Sequence, residues 1–338
     1  MLDVKNLTVK YLFGTYGIVD ASFSCTSGEI IAIIGESGSG KTTIAKSIAG
    51  LIDDGISGSI LLNNNDITKT NIKLRDIQLV FQEGGFYKNR SLKYNLLKIL
   101  KMRKVNSDVA NNKIDEVINI FGFQHLADCP VKKLNNVDRV LLKLARLLLR
   151  EPKLMIIDDI FYNLSSEEKI VVYKKLHDLK NRFKFTCPLI FLTSTPNEAL
   201  YVGSKIMVIR QGFVEQYAKK EDIINNPKTL YIDKLINKNR TFIALNEISC
   251  LINSSSLGNL EINDLPPGTI CSYLLEETIV NNDGIEVGVN NVRFLDGYYL
   301  IDTDIGLLLT KKLKEKYRVK IIYDDMRFYD CNTEKRMI

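Results

Sequence analysis

The sequence has few of the residues that build metal and redox centres. Among its 338 residues there is no tryptophan, and the two histidines are His125 and His177. Its six cysteines are scattered, and no two of them form a C-x-x-C pair. Structural zinc and iron–sulfur sites need closely spaced Cys and His ligands, so neither kind of site is expected. The thiols are expected to be reduced and buried, as in an intracellular protein.

Long hydrophobic runs are also missing. The most apolar stretch, residues 141–157, is interrupted by five charged residues and by Pro152. A membrane-spanning helix needs about 20 consecutive apolar residues, so no span is expected. Residues 1–5 (MLDVK) lack the apolar core of a signal peptide. Together these absences predict a protein of the cytoplasm.

The composition that is present is that of a globular protein, with 45% hydrophobic and 25% charged residues. It excludes the collagen-like and disordered classes. A length of 338 residues suggests about two domains. The net charge of +6 is a mild excess that suits binding to anionic surfaces or nucleotides. It is no signature of nucleic-acid binding, so no nucleic-acid partner is expected.

The first part of the chain alternates between strand and helix patterns. Short apolar runs at 30–34 (IIAII), 154–157 (LMII) and 189–193 (LIFLT) are typical of buried strands, and residues 167–183 have the apolar spacing of a helix. This alternation predicts an α/β domain, with a mostly parallel sheet covered by helices. Residues 92–150 are helical in pattern throughout, and we expect them to form a helical subdomain.

The pattern changes after about residue 225. Short β-like runs at 270–275, 285–289, 298–301 and 319–323 are separated by turn signals at 266–268, 282–284 and 296–297. This predicts a small C-terminal all-β domain of the OB-like barrel type. We expect a nucleotide-binding domain at 1–225, a linker at 226–240 and the β-domain at 241–338.

Residues 35–42 (GESGSGKT) match the phosphate-loop motif G-x-x-x-x-G-K-[ST]. The motif follows a predicted strand and opens a predicted helix at 43–51, which is the context that the chemistry requires. Its glycines let backbone N–H groups turn towards phosphate oxygens at the positive end of the helix dipole. Lys41 is expected to reach the terminal phosphates, and the Thr42 hydroxyl to bind Mg²⁺. The expected nucleotide-binding residues here are Gly35, Ser37, Gly38, Ser39, Gly40, Lys41, Thr42 and Thr43.

Several further segments, taken with this loop, resemble the nucleotide-binding subunits of ABC transporters. These segments are 80–82 (VFQ), 150–158 (REPKLMIID), 193–200 (TSTPNEAL) and 212–216 (GFVEQ). Residues 221–227 (EDIINNP) and 265–269 (LPPGT) resemble the importer ATPases with a C-terminal transport-associated OB (TOBE) domain, which serve sugars, polyamines, ferric iron or other small solutes. The likeness is looser over 221–330, where the family's Arg-Pro-Glu element reads LLE at 274–276.

The resemblance implies ATP and Mg²⁺ as ligands and assigns roles to further residues. An aromatic residue ahead of the phosphate loop stacks on adenine; Tyr11 is our choice, and Phe13 and Tyr16 stay open. Gln82 contacts Mg²⁺ and the attacking water and reports on the permease. Asp158, at the end of an apolar strand, holds Mg²⁺ through water.

At three places the sequence departs from the family. The glutamate that polarises the attacking water is replaced by Asp159, whose carboxylate lies one methylene further back. The histidine that contacts the γ-phosphate is replaced by Ser194. The signature segment, normally Leu-Ser-Gly-Gly-Gln, reads LNNVD at 134–138, and Ser165 stands where an aspartate helps to join two subunits. Asn135 is still able to cap a helix there.

These departures predict a chain that binds ATP and hydrolyses it poorly. It is then the degenerate half of a heterodimer, paired with a second, competent ABC ATPase subunit. The alternatives are a fully active homodimeric importer ATPase, and a non-transport ABC protein of DNA repair, translation or cluster assembly.

The resemblance also implies transmembrane permease subunits, indirectly a solute-binding protein, and a location on the inner face of the cell membrane. The surface of Phe86, Tyr87, Leu92 and Tyr94 is expected to meet the permease. The β-domain is expected to serve packing and dimer contacts, with a regulatory ligand site as the alternative.

Overall fold

The structure, a computed structural model, forms two compact units, Met1–Lys220 and Glu221–Ile338. It describes residues 1–12, 14–81, 85–182, 187–238, 240–244, 265–266, 269–277, 285–295, 298–303, 306–310 and 316–337. No helix in these ranges has the length and apolar character needed to cross a membrane.

The first unit is built on one ten-stranded mixed sheet, in the order β5-β4-β1-β2-β10-β9-β3-β8-β7-β6. Its strands are β1 (Leu2–Lys10), β2 (Tyr16–Cys25), β3 (Ile30–Ile34), β4 (Ile56–Leu62), β5 (Asn65–Asp66), β6 (Ile77–Val80), β7 (Leu154–Asp158), β8 (Leu189–Thr193), β9 (Lys205–Arg210) and β10 (Phe213–Lys219). Strands β9, β3, β8, β7 and β6 run parallel, whereas β1 pairs antiparallel with β2 and β4. The three predicted strands are therefore confirmed, and the structure shows that they are neighbours in the sheet.

The helices of the first unit follow the apolar patterns in the sequence. They are α1 (Lys41–Ala49), α2 (Leu92–Met102), α3 (Ser107–Phe121), α4 (Asn136–Arg150), α5 (Ser166–Arg182) and α6 (Pro196–Val202). Three short 3₁₀ turns lie at Ile72–Leu74, Gln124–Leu126 and Val131–Lys133. The predicted helical stretch 92–150 thus holds α2, α3 and α4. The first helix begins two residues before its predicted start.

The core of the first unit fixes the position of the phosphate loop. Ile44 and Ile48 of α1 are fully buried in the same cluster as Ile31 and Ile33 of β3. Burying an aliphatic side chain of this size stabilises the fold by about 1.5–3 kcal/mol. The strand before the loop and the helix after it are therefore both held by apolar contacts.

Within its described residues, the second unit contains two helices and a seven-stranded sheet. The elements are α7 (Lys220–Asn225), α8 (Leu230–Ile236), β11 (Thr241–Ala244), β12 (Ile270–Glu277), β13 (Ile285–Gly288), β14 (Asn291–Leu295), β15 (Tyr298–Thr303), β16 (Gly306–Thr310) and β17 (Lys316–Tyr329). The strand order is β13-β17-β12-β16-β15-β14, with β11 paired to β12. Strands occur at all four predicted positions. The OB-like barrel stays a prediction, and most residues of the three predicted turns lie outside the described ranges.

A buried polar cluster ties α8 to the strands of the second unit. Asp233 is fully buried and accepts hydrogen bonds of 2.7 Å from Arg327 Nη1 and from the Tyr329 hydroxyl. Ser272 Oγ donates to the same carboxylate at 3.1 Å, and Arg240 donates to Ser272. A buried charge needs such partners, since an unpaired carboxylate in a core is strongly unfavourable.

Candidate functional site

The phosphate loop lies between β3 and α1, at the end of the parallel part of the sheet. Gly38 and Gly40 have φ angles of 79° and 111°, which residues with a Cβ rarely adopt. A Cβ at Gly35 would lie 2.5 Å from Ser39 Oγ and would collide with the backbone oxygen of Ile209. Glycine is therefore required at these positions for the loop to close.

Lys41 folds back over the loop. Its Nζ donates hydrogen bonds to the backbone oxygens of Gly35 at 2.7 Å and Glu36 at 2.8 Å. Burial lowers the pKa of Lys41, while the carboxylates of Asp159 and Asp158 oppose that shift. A half-buried ammonium beside the loop offers its donors to phosphate oxygens in place of the two carbonyls.

Ser39 contributes a further polar atom without a partner. Among the described residues, its buried Oγ forms no hydrogen bond. Ser37 and Gly38 are exposed on the outside of the same loop. A buried hydroxyl without a partner is unfavourable. Because solvent does not reach this Oγ, it does not face a phosphate, and the fit of the loop to a phosphate rests on the left-handed glycines and on the ammonium group of Lys41.

Thr42 and Asp158 meet although they are far apart in the sequence. The Thr42 hydroxyl donates to Asp158 Oδ2 at 3.1 Å, from the first turn of α1 to the end of β7. Burial raises the pKa of Asp158, and the Thr42 hydrogen bond and the charge of Lys41 lower it. A hydroxyl and a carboxylate oxygen at this separation match the oxygen ligands of Mg²⁺, which takes few protein ligands and completes its shell with phosphates and water.

The described residues hold no other candidate metal centre. Within those ranges, no group of three or more His, Cys, Asp or Glu side chains is arranged to hold an ion. This finding agrees with a Mg²⁺ site to which the protein contributes one carboxylate and one hydroxyl, while a bound nucleotide contributes further oxygens.

Tyr11 lies beside the helix that follows the loop. Its hydroxyl is 2.8 Å from Thr43 Oγ1, and its ring borders Gly17, where a Cβ would lie 2.7 Å from Tyr11 Cε2. The residue as a whole is 41% exposed. Tyr16 is more exposed and has Lys10 Nζ 5.5 Å from its ring centre. Phe13 lies outside the described residues.

Asp159 and Ser194 follow adjacent parallel strands. The Asp159 N–H donates to Leu192 O at 3.1 Å, and Asp159 has a φ of 45°, which is unusual for a residue with a side chain. Burial raises the pKa of Asp159, and the charges of Glu198 and Asp158 act in the same direction. Ser194 is exposed directly after β8. The fold thus brings Asp159 and Ser194 close to Asp158. Gln82, the third predicted catalytic residue, lies outside the described residues.

Sequence reasoning missed a buried carboxylate behind these two positions. Glu198 is 1% exposed, accepts a hydrogen bond of 2.5 Å from Thr193 Oγ1, and pairs with Lys169 at 2.8 Å. Thr193 Oγ1 in turn accepts the N–H of Thr195 at 3.0 Å. This network holds the turn that carries Ser194. The one sequence signal that could have suggested this network is a glutamate on a short helix directly after a buried strand.

The signature segment keeps its helix start. The Asn135 side chain accepts the N–H of Asp138 at 2.7 Å and so caps α4, as the sequence predicts. Burial raises the pKa of Asp138. Ser165 instead caps α5, where its Oγ accepts the N–H of Glu168 at 3.2 Å.

The expected permease surface is only partly present. Tyr87 and Tyr94 are exposed and meet edge to face, with ring centres 5.8 Å apart. The Phe86 ring lies under the Arg146 guanidinium, 5.2 Å from ring centre to Cζ. Leu92 is fully buried, so its place on this surface was wrong: the first turn of α2 faces it into the core.

Comparisons with known proteins agree with this geometry. Residues 18–161 match the family described as ABC transporter. The chain is 30% identical over 253 residues to the sulfate/thiosulfate import ATP-binding protein CysA of Mesostigma viride, covering 75% of this chain and 71% of that protein. It is 26% identical over 240 residues to the Fe(3+) ions import ATP-binding protein FbpC of Vibrio cholerae, with coverages of 71% and 67%.

A solved structure shares the fold. The chain aligns with a part of the cbiONQ ABC transporter complex of Clostridium perfringens, with a TM-score of 0.60, 24% identity and coverages of 66% and 89%. The chain spans about two thirds of the length of several curated relatives, for example 65% of CysA of Bacillus cereus.

Proposed function

This chain belongs to the ABC transporter family of ATPases, and we propose that it is the ATP-binding subunit of a solute importer. It binds ATP and Mg²⁺ at the phosphate loop and couples closure of an ATPase dimer to a membrane permease. The relatives named above are import proteins, which supports the direction of transport. The contact between Thr42 and Asp158 carries the proposal, because it brings together beside Lys41 the hydroxyl that would bind Mg²⁺ and the carboxylate that would hold it through water.

Each residue of the pocket has a chemical part in binding. Lys41 and the backbone N–H groups of the loop hold the phosphate tail. Tyr11, with its ring beside Thr43 of α1, would stack on the base. Bound Mg²⁺ would neutralise the phosphate charge, and Thr42 and Asp158 would hold it there.

We propose further that hydrolysis is weak in this chain. Asp159 supplies a carboxylate at the sequence position of the family's glutamate, but its side chain is shorter and its backbone is left-handed. A general base contributes about 10²–10⁴ in rate, so a displaced one loses much of that. Ser194 keeps a hydroxyl where the family has a ring. The chain is then one half of a heterodimer whose second ATPase subunit is competent.

The exposed pair of Tyr87 and Tyr94 supports a permease contact. Aromatic side chains are enriched at protein interfaces, and this pair lies shortly after the segment that contains Gln82. A subunit of this kind works on the cytoplasmic face of the membrane, bound to its permease, with a solute-binding protein as an indirect partner.

Calorimetric titration of the purified full chain with ATP tests the binding step. We expect affinity for ATP to rise when Mg²⁺ is added, and Asp158→Asn to abolish that rise while affinity for ATP alone is kept. Asp54→Asn, at an exposed acidic residue, is the matched control. Equal dependence on Mg²⁺ in the wild type and in Asp158→Asn would contradict the proposal.

A further inference from the structure

The turn after β8 carries Ser194 beside the phosphate loop. Thr193, the last residue of β8, pairs in register with Ile34, the residue directly before that loop. Ser194 follows and is exposed, and helix α6 begins two residues later at Pro196. Because serine is short and has a single χ angle, the backbone of this turn decides where its hydroxyl lies.

The hydroxyl of Thr193 ties this turn to a carboxylate. Thr193 Oγ1 donates to Glu198 Oε2 at 2.5 Å and accepts the N–H of Thr195 at 3.0 Å. The other oxygen of Glu198, Oε1, lies 2.8 Å from Lys169 Nζ. An ionised carboxylate only accepts hydrogen bonds, so the Thr193 hydroxyl must donate to it, and its lone pairs are left for the Thr195 N–H. The residues on both sides of Ser194 are therefore held through Glu198.

The burial of Glu198 points to a role in orientation. Glu198 is 1% exposed, and the side chain of its partner Lys169 is 21% exposed. A buried carboxylate is unfavourable unless it is paired, and replacing a buried ion pair with apolar side chains is often neutral or stabilising. Stability alone therefore does not account for a carboxylate at this position, whereas a need to orient the Thr193 hydroxyl does.

We propose that Glu198 is a positioning residue for the terminal phosphate of bound ATP. Acting through Thr193, it fixes the turn so that the Ser194 hydroxyl donates to this phosphate, which ADP lacks. The network of Lys169, Glu198 and Thr193 thereby gives the protein a preference for ATP over ADP. This inference rests on the proposed ATP-binding function and adds a selectivity to it.

Calorimetric titrations of the purified full chain with MgATP and with MgADP test this role. Thr193→Val keeps the shape of the side chain and removes its hydroxyl. We expect this change to lower the affinity for MgATP about fivefold, the effect of one lost hydrogen bond, and to leave the affinity for MgADP within about twofold. Thr193→Ser keeps the hydroxyl and should keep the wild-type preference.

A second variant removes the carboxylate itself. Glu198→Leu with Lys169→Met removes both charges together, so that neither is left buried without a partner. This variant should show the same loss as Thr193→Val. The matched control is Glu29→Leu with Lys205→Met, which removes an ion pair of 2.9 Å at the other end of β3 and should change neither affinity.

A double-mutant cycle separates positioning from a general structural role. Ser194→Ala should itself lower the preference for MgATP, and Thr193→Val added to it should cause no further loss. A structural role would lower the affinities for MgATP and MgADP alike, and would do so with or without Ser194. Circular-dichroism melts show that the compared variants are folded.

The inference is wrong if the preference for MgATP is unchanged in Ser194→Ala, in Thr193→Val or in the paired change at Glu198 and Lys169. It is also wrong if Thr193→Val lowers both affinities alike or acts equally with and without Ser194. Each of these results leaves the proposed function standing. A wild type that binds neither nucleotide contradicts the proposed function, and the inference then fails with it.

Discussion

The phosphate loop and the pair of positions that follow β7 and β8 lie at the same edge of the sheet, yet they differ in chemistry. In register, Ile34 pairs with Thr193 and Asp158 pairs with Leu192, so the loop, Asp159 and Ser194 are carried by neighbouring strands. The glycines, Lys41, Thr42 and Asp158 keep the residue types that a phosphate and Mg²⁺ need. Asp159 and Ser194 have shorter side chains than the residues at the matching positions of the family. We therefore propose that this chain retains nucleotide binding and has lost much of its hydrolysis.

The largest expected effect is on binding. Lys41→Ala removes the ammonium that folds over the loop, and charge-assisted hydrogen bonds contribute about 1.5–3 kcal/mol each. We expect affinity for MgATP to fall about 100-fold, measured by calorimetry. Lys69→Ala, at an exposed lysine, should leave the affinity unchanged. If Lys41→Ala keeps the wild-type affinity for MgATP, the proposed difference between the phosphate loop and the positions after β7 and β8 is wrong.

The second effect is on hydrolysis. Asp159→Glu together with Ser194→His restores the longer carboxylate and the ring, so we expect ATP turnover to rise about tenfold or more. The dissociation constant for MgATP should stay within about twofold, because the binding residues are untouched. The measurement is steady-state phosphate release with the partner subunits present. If turnover falls instead, Asp159 and Ser194 already support ATP hydrolysis, and the proposal of weak hydrolysis is wrong.

A smaller effect is expected at the base. Tyr11→Ala should weaken ATP binding by about 1–2 kcal/mol, since stacking of a base on an aromatic ring contributes about that much. Inorganic triphosphate has no base and should bind equally well to both proteins. Tyr16→Ala is the matched comparison. If Tyr16→Ala loses more ATP affinity than Tyr11→Ala, then Tyr16 is the stacking residue.

The smallest effect is on stability. The raised pKa of Asp159 means that its ionised form is disfavoured in the folded chain. Its contribution to stability is present below the unfolded pKa of about 3.9 and is lost as pH rises through the folded pKa. Asp159→Asn should therefore raise the Tm at pH 7.5, by about 2–4 °C, and the gain should shrink towards pH 4. Thermal melts across this range, with Asp54→Asn as control, measure it.

Much of the fold near the loop follows from local sequence. The strands β3, β7 and β8 are short apolar runs, and each is bounded by a Gly-rich or polar segment, so their place in a buried parallel sheet could be predicted. The turn of the phosphate loop could also be predicted, because its backbone conformation and close approaches require glycine. The cap of α4 by Asn135 is likewise a local feature.

Contacts between distant residues could not be predicted in the same way. Tyr11 and Thr43 are 32 residues apart, and Asp233 and Tyr329 are 96 apart. No periodic pattern marks such pairs, because tertiary packing decides them. The antiparallel strands β1, β2 and β4 also alternate less clearly between apolar and polar residues.

The central claim is that a complete nucleotide pocket is combined with a weakened hydrolytic one. The most direct test is to incubate the purified chain with radiolabelled MgATP and to follow both the bound nucleotide and its conversion to ADP in a single turnover. The account predicts that ATP is retained on the protein and remains largely uncleaved for many minutes. Absence of bound ATP, or rapid cleavage that Asp159→Ala abolishes, would contradict it.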